Sequence, residues 1–218
     1  MNKAVIFDMD GVLVDNNKYH DRAWIEFCKR KGLSIDSKEI TARFGNTNDE
    51  YFRFLFGEGL SREENDQLAE EKEAIYREIY AAEIEPAKGL IDLLGELKEN
   101  NFKIGVATSA PTSNLNFVLE KLNIRFYFAA LVDASMITKG KPDPEVFLKT
   151  ADLLEVPASQ CLVFEDSVHG VNAAVNAKMK VVALTTTFPE EKLAIANRII
   201  KDFREITARD IQNLLNSN

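Results

Sequence analysis

The chain opens on an unbroken apolar run, Ala4 to Phe7, and four such positions without alternation predict a strand covered on both faces. From about Asn17 to Ala82 the pattern changes to helical spacing and predicts no strand: Trp24, Phe27 and Cys28, then Ile40 and Phe44, then Phe52, Leu55 and Phe56. Ser61 followed by Glu64 marks a further helix start, continued by Leu68, Ile75 and Ile79. Behind Pro86 helices and strands alternate. Leu90, Leu93, Leu94 and Leu97 define a helix that ends at Asn100-Asn101, and Phe102–Thr108 is a short strand. Pro111 begins a helix carrying Leu115, Val118, Leu119 and Leu122, followed by a strand over Phe128–Val132. Asp143-Pro144 starts the next helix, with Phe147, Ala151 and Leu154 on one face. Cys161–Phe164 and Lys180–Leu184 are buried strands on either side of a short helix, Val168–Ala177; Ile199-Ile200 is a weak edge strand, and Thr207 to Asp210 caps a last helix with Ile211, Leu214 and Leu215. The alternation predicts an α/β fold, a doubly wound parallel sheet of residues 1–15 and 83–218 with a helical block, 16–82, inserted behind the first strand.

In open parallel sheets, ligands bind beyond the carboxyl ends of the strands. Those ends carry Asp8 and Asp10 after the first strand, Thr108 and Ser109 after the second, Lys141 in the loop after the third, and Glu165-Asp166 after the fourth. Asp8 and Asp10 point the same way in extended chain, and Gly11 lets the backbone turn behind them. Singly, each set has an ordinary structural use: a solvated Asp turn, a helix cap, a loop cation, a helix-start acid pair. Together the types are complementary, with carboxylates for a divalent cation such as Mg²⁺, and hydroxyl and ammonium for a phosphate. One of the first two acids could serve as nucleophile and the other as general acid/base.

The charge balance narrows the partners. With 27 basic against 35 acidic residues, a net charge of −8 disfavours a nucleic-acid or anionic membrane surface and leaves a small anion needing local positive charge. No apolar run approaches the roughly 18 residues of a membrane span, and no basic-then-apolar leader is present, so a cytoplasmic protein is expected. Cys28 and Cys161 sit inside apolar patterns and read as reduced core thiols. Nothing in the pattern demands more than a monomer.

Four segments, DMDGVLVD (8–15), KIGVATSA (103–110), GKPDPEVF (140–147) and VFEDSVHGVNAA (163–174), resemble in order the four motifs of the haloacid dehalogenase superfamily, in particular its phosphatases and phosphomutases. The resemblance spans essentially the whole chain and implies a Rossmann-like core with a mobile helical cap. It further implies Asp8 as the nucleophile that becomes an aspartyl phosphate, Asp10 as acid/base, Thr108 and Lys141 on the phosphoryl group, and Mg²⁺ held by the Asp8 carboxylate, the Asp10 carbonyl and Asp166, helped by Glu165. The second acid, Asp10, separates the chain from the dehalogenase branch, which has no leaving alkoxide to protonate.

Within the cap, Tyr19-His20-Asp21-Arg22-Ala23-Trp24 resembles the β-phosphoglucomutase branch, and Lys72 falls where that branch has a sugar-contacting lysine. His20 would then assist Asp10 or bind substrate, and Trp24 reads as cap core. The chain departs from that branch at Asn48 and Phe44, which stand where an arginine for a second phosphate and a lysine belong on alignment at Gly45. Ala110-Pro111-Thr112 likewise lacks an expected lysine, and Arg43 or Arg53 could substitute. The expected activity is therefore a Mg²⁺-dependent phosphatase of small phosphorylated metabolites such as sugar phosphates, with a hexose phosphomutase as the alternative and a non-catalytic receiver-like phospho-switch as a remote one.

Overall fold

The computed structural model describes residues 2–35, 39 and 48–217, without the side chain of residue 49. The chain divides into two compact units, residues 1–15 with 84–218, and residues 16–83. The expected positions Ile40, Arg43, Phe44 and Gly45 lie outside the described residues.

The larger unit is built on six parallel strands, β1 (Ala4–Phe7), β2 (Lys103–Ala107), β3 (Ala130–Val132), β4 (Cys161–Glu165), β5 (Lys180–Leu184) and β6 (Arg198–Ile200), in the order β3-β2-β1-β4-β5-β6. Chain order therefore reverses direction across the sheet at β1 and β4, the switch point where such sheets open a crevice. β1 is fully buried because both of its edges are paired and both of its faces are covered. One face packs Ala4 and Ile6 with Val163, Val146, Phe147, Val171 and Ala174. The other stacks Phe7 on Phe164 at 5.0 Å between ring centres, with Phe203 edge-on to Phe164 at 5.1 Å.

In the smaller unit α1 (Asn17–Arg30), α2 (Asn48–Phe56) and α3 (Arg62–Tyr80) precede α4 (Leu90–Glu99) of the larger one. α3 starts in a complete capping box between Ser61 and Glu64. Its buried face holds Lys72, Glu73, Ile75, Tyr76 and Tyr80, so the stripe expected from Leu68, Ile75 and Ile79 is rotated toward two charged residues. α4 begins at Leu90, the first of the leucines that mark it in the sequence. Gly89 stands before it at φ 80°, where a Cβ would come within 2.8 Å of the Arg204 backbone nitrogen, so the chain closes on that segment before the helix can start. β3 is likewise shorter than the expected strand, because a 3₁₀ turn over Arg125–Tyr127 precedes it and the Arg125 guanidinium binds the Phe128 carbonyl. The remaining helices are α5 (Thr112–Lys121), α6 (Glu145–Leu154), α7 (Val168–Asn176) and α8 (Ala208–Asn216). No described helix is long and apolar enough to cross a membrane.

Candidate active site

Parallel registration of Phe7 with Phe164 puts the residues that follow, Asp8 and Glu165, side by side at the carboxyl edge, and the Asp8 N–H donates to the Phe164 carbonyl at 3.0 Å. Both side chains are buried. The Lys141 ammonium, itself buried, donates to Asp8 Oδ1 and to Glu165 Oε1, each at 2.6 Å, and lies 4.9 Å from the centre of the Phe147 ring. The loop that carries Lys141 is folded by Glu145 at the start of α6, whose carboxylate accepts the N–H groups of Thr138 and Lys139 and the Thr138 hydroxyl.

Glu165 Oε2 accepts three donors, the N–H groups of Asp166 and Ser167 and the Ser167 hydroxyl. Glu165 thus spends its carboxylate on Lys141 and on the entry to α7, and a cation drawing on it would share Oε1 with Lys141. Asp166 is buried and accepts from the Thr187 hydroxyl, while the Thr186 hydroxyl donates to the Gly11 carbonyl at 2.6 Å. Gly11 turns at φ 76°, and a Cβ there would overlap the Asp166 carboxylate at 1.9 Å, so no larger residue fits between the two aspartate segments. Asp10 forms an isolated parallel bridge with Val14 in the same turn.

At the end of β2, Thr108 is buried and its N–H binds the Val132 carbonyl. Its hydroxyl oxygen accepts the Ala110 N–H at 3.0 Å, which turns the hydroxyl proton toward other acceptors. Ser109 beside it is exposed. Asp133, not anticipated from sequence, braces this loop: it accepts the Thr112 hydroxyl at 2.7 Å and the Ser135 N–H and hydroxyl, while the Ala134 N–H binds the Ala110 carbonyl. Thr186 and Thr187 were also not anticipated, although a run of three threonines directly after an apolar strand end was the available signal.

The electrostatics are those of an anionic pocket. Burial pushes the Asp8 carboxyl up to about 8, with Glu165 and Asp10 adding to the rise and Lys141 opposing it. Burial, then Glu165 and Asp8, raise Asp166 in the same direction. Burial works against the Lys141 ammonium, but Asp8 and Glu165 outweigh it and hold the group firmly protonated. Three buried carboxyl groups share one ammonium, and the raised Asp8 and Asp166 mark hard oxygen donors that a further cation would let ionise, which suits Mg²⁺. Among the described residues no three His, Cys, Asp or Glu side chains are grouped to hold a metal. A magnesium ion here would rely on two carboxylates, a backbone carbonyl and its own waters, the sparse protein ligation that Mg²⁺ commonly accepts.

The model of the haloacid dehalogenase-like hydrolases matches residues 2–178. The chain belongs to that family. This haloacid dehalogenase-like hydrolase is 33% identical over 192 residues to the β-phosphoglucomutase of Bacillus subtilis, covering 84% of the chain and 83% of the relative. It is 30% identical over 179 residues to the fructose-1-phosphate phosphatase YqaB of Escherichia coli, covering 82% and 94%. A crystal structure of a family IA, variant 3 hydrolase from Entamoeba histolytica superposes with a TM-score of 0.92 at 29% identity, covering 99% of this chain and all of the other. The chain is thus an enzyme of the phosphatase and phosphomutase kind.

In the smaller unit of this hydrolase, the four cap positions singled out from sequence converge on one cluster, with Trp24 and Lys72 buried and His20 and Asn48 half-buried. Lys72 Nζ is 3.0 Å from His20 Nδ1 and 2.9 Å from Glu73 Oε1, and lies 5.1 Å from the centre of the Trp24 ring. Asn48 donates to the same Glu73 oxygen at 3.1 Å. His20 stacks flat on Tyr76 with ring centres 4.0 Å apart, and Tyr76 accepts from Asn16 at 2.7 Å. Trp24 is buried, stacked on Tyr51 and packed edge-on to Phe52. Lys72 therefore already has a carboxylate partner inside its own unit.

Proposed function

We propose that the protein is a Mg²⁺-dependent phosphatase of small sugar phosphates that works through an aspartyl phosphate on Asp8. The observation that carries this reading is the buried Lys141 ammonium shared between Asp8 and Glu165 at 2.6 Å each, which offers a fixed positive charge where an anionic nucleophile has to meet an anionic phosphate. A carboxylate oxygen of Asp8 attacks phosphorus while the bond to the leaving alcohol breaks, and Asp10 supplies the proton that the departing oxygen needs. Asp10 then takes a proton from the water that attacks the acyl phosphate, the Asp8–phosphorus bond breaks, and inorganic phosphate and a free Asp8 carboxylate remain. Thr108, Ser109 and Lys141 bind the non-bridging phosphoryl oxygens throughout. Asp8, the Asp10 carbonyl and Asp166, with Glu165 beside them, would hold Mg²⁺, which when bound screens the repulsion between carboxylate and phosphate.

A mutase is the second reading, favoured by the 33% identical β-phosphoglucomutase. A mutase must hold and re-present a bisphosphate, whereas Asn48 and Lys72 are already joined to Glu73, which supports the hydrolytic reading. One time course separates them. With Mg²⁺, β-glucose 1-phosphate and a trace of the 1,6-bisphosphate, free phosphate is expected to rise without glucose 6-phosphate, and a chelator stops it. Glucose 6-phosphate accumulating without phosphate would establish the mutase. No turnover with any phosphate ester, together with a long-lived phosphorylated Asp8, would instead point to a receiver-like switch.

The acid role of Asp10 has its own signature. Asp10→Asn is expected to slow the first half-reaction, release of the alcohol in a single-turnover burst, by about 10²–10⁴-fold for alkyl phosphates while sparing the burst of p-nitrophenol from p-nitrophenyl phosphate, whose leaving group needs no proton. Equal losses of the burst rate on both substrates would refute the acid assignment.

A further inference from the structure

We infer that Gly170 is a positioning residue: the missing side chain at this position is what lets the Glu165 carboxylate sit where it holds Lys141 against Asp8. The inference rests on the reading of Lys141 as the cation of the reacting centre. β4 ends at Glu165, and the carboxylate folds back over the first turn of α7, which starts three residues later. A Cβ on residue 170 would lie 1.7 Å from Glu165 Oε1, 1.8 Å from Cδ and 2.2 Å from Oε2. These three atoms are the nearest neighbours, so the conflict falls first on this one carboxylate.

Backbone conformation supplies no reason for a glycine here. Gly170 lies in ordinary helix, outside the positive-φ residues, where alanine is the better helix former. Nor can Glu165 move aside at no cost. Its Oε1 is engaged by Lys141 and its Oε2 by the Asp166 and Ser167 N–H groups and the Ser167 hydroxyl. The Gly170 N–H donates to that same hydroxyl oxygen at 3.0 Å, so residue 170 and the carboxylate are fixed to one another from two sides. Any side chain at 170 drives Glu165 off these donors, and Lys141 loses one of its two anchors.

The test is a double-mutant cycle of wild type, Gly170→Ala, Glu165→Ala and the combination, read by thermal unfolding and by Mg²⁺-dependent sugar-phosphate turnover. In the wild-type background Gly170→Ala is expected to lower the melting temperature and to reduce kcat at least about tenfold. In the Glu165→Ala background the same substitution raises the melting temperature or leaves it within about 1 °C, and the combination turns over no more slowly than Glu165→Ala alone. A Gly170→Ala chain that fails to fold while the combination folds gives the same answer. Equal effects in both backgrounds, or failure to fold in both, would overturn the inference. The thermal arm needs no substrate, so it stays decisive even if the phosphatase reading fails.

Discussion

Asp8→Asn is expected to abolish turnover, by about 10³-fold or more in kcat, and to leave the melting temperature unchanged or slightly raised. On the proposed mechanism Asp8 is the group that forms the covalent intermediate, and groups that act as one unit do not compensate for one another. The stability half follows from the charges. Asp8, Glu165 and Asp166 are all buried, and burial with neighbouring acids pushes the Asp8 carboxyl up to about 8, so ionised Asp8 is disfavoured in the folded protein without a metal. A neutral amide keeps an oxygen for Lys141 to bind, and Lys141 keeps Glu165 at 2.6 Å. Comparable residual activity would remove Asp8 from the nucleophile's role. A melting temperature lowered by many degrees would show that the site depends on both of its ion pairs.

Lys141→Met is expected to be the opposite kind of inactive protein. It loses the cation beside Asp8, and it also strands Asp8 and Glu165 in a buried site with no ammonium between them. Breaking a buried pair from one side costs about 3–5 kcal/mol, which in a chain of this size corresponds to a fall of roughly 10 °C in melting temperature. Adding Glu165→Gln to Lys141→Met should return part of that loss by removing one stranded charge. Both measurements are thermal scans on metal-free protein beside an activity assay. A Lys141→Met protein that melts with wild type would mean that the ammonium contributes nothing to the ground state.

The fold was legible in the sequence because its signals are local. Uninterrupted apolar runs at Ala4–Phe7, Cys161–Phe164 and Val181–Leu184, separated by helical spacing, leave few arrangements other than a parallel sheet covered on both faces, and each run is followed by a polar residue that the crevice rule places at one edge. What was not legible depends on partners far away in the chain. The edge rule brings Lys141 to the side of the sheet that carries Asp8 but not the ion pair the two form across 133 residues, and no periodicity encodes the meeting of Thr186 with Gly11 across 175. Lys72 and Glu73 look like part of a solvated helix face, yet they are buried because they neutralise one another with His20 and Asn48 as further partners. Asp133 sits one residue beyond a strand of three residues, too short for its end to stand out. Gly170 reads as an unremarkable small residue until the carboxylate lying over it is seen.

The place of β1 in the sheet bears on the order in which the molecule can be assembled. β1 leaves the ribosome before the other five strands of the sheet, yet it is an inner strand whose two neighbours, β2 and β4, are complete only at Ala107 and Glu165. Throughout synthesis of the intervening helical unit, the apolar run from Ala4 to Phe7 has no strand beside it, and the long loops that must close before it is paired make its burial a late, non-local event. The segment up to Glu165 must therefore emerge before Ala4–Phe7 can be covered on both edges. Asp8 comes to rest beside its neighbours only when β4 has been made as far as Glu165, so a nascent chain carries Asp8 in water long before the site around it exists.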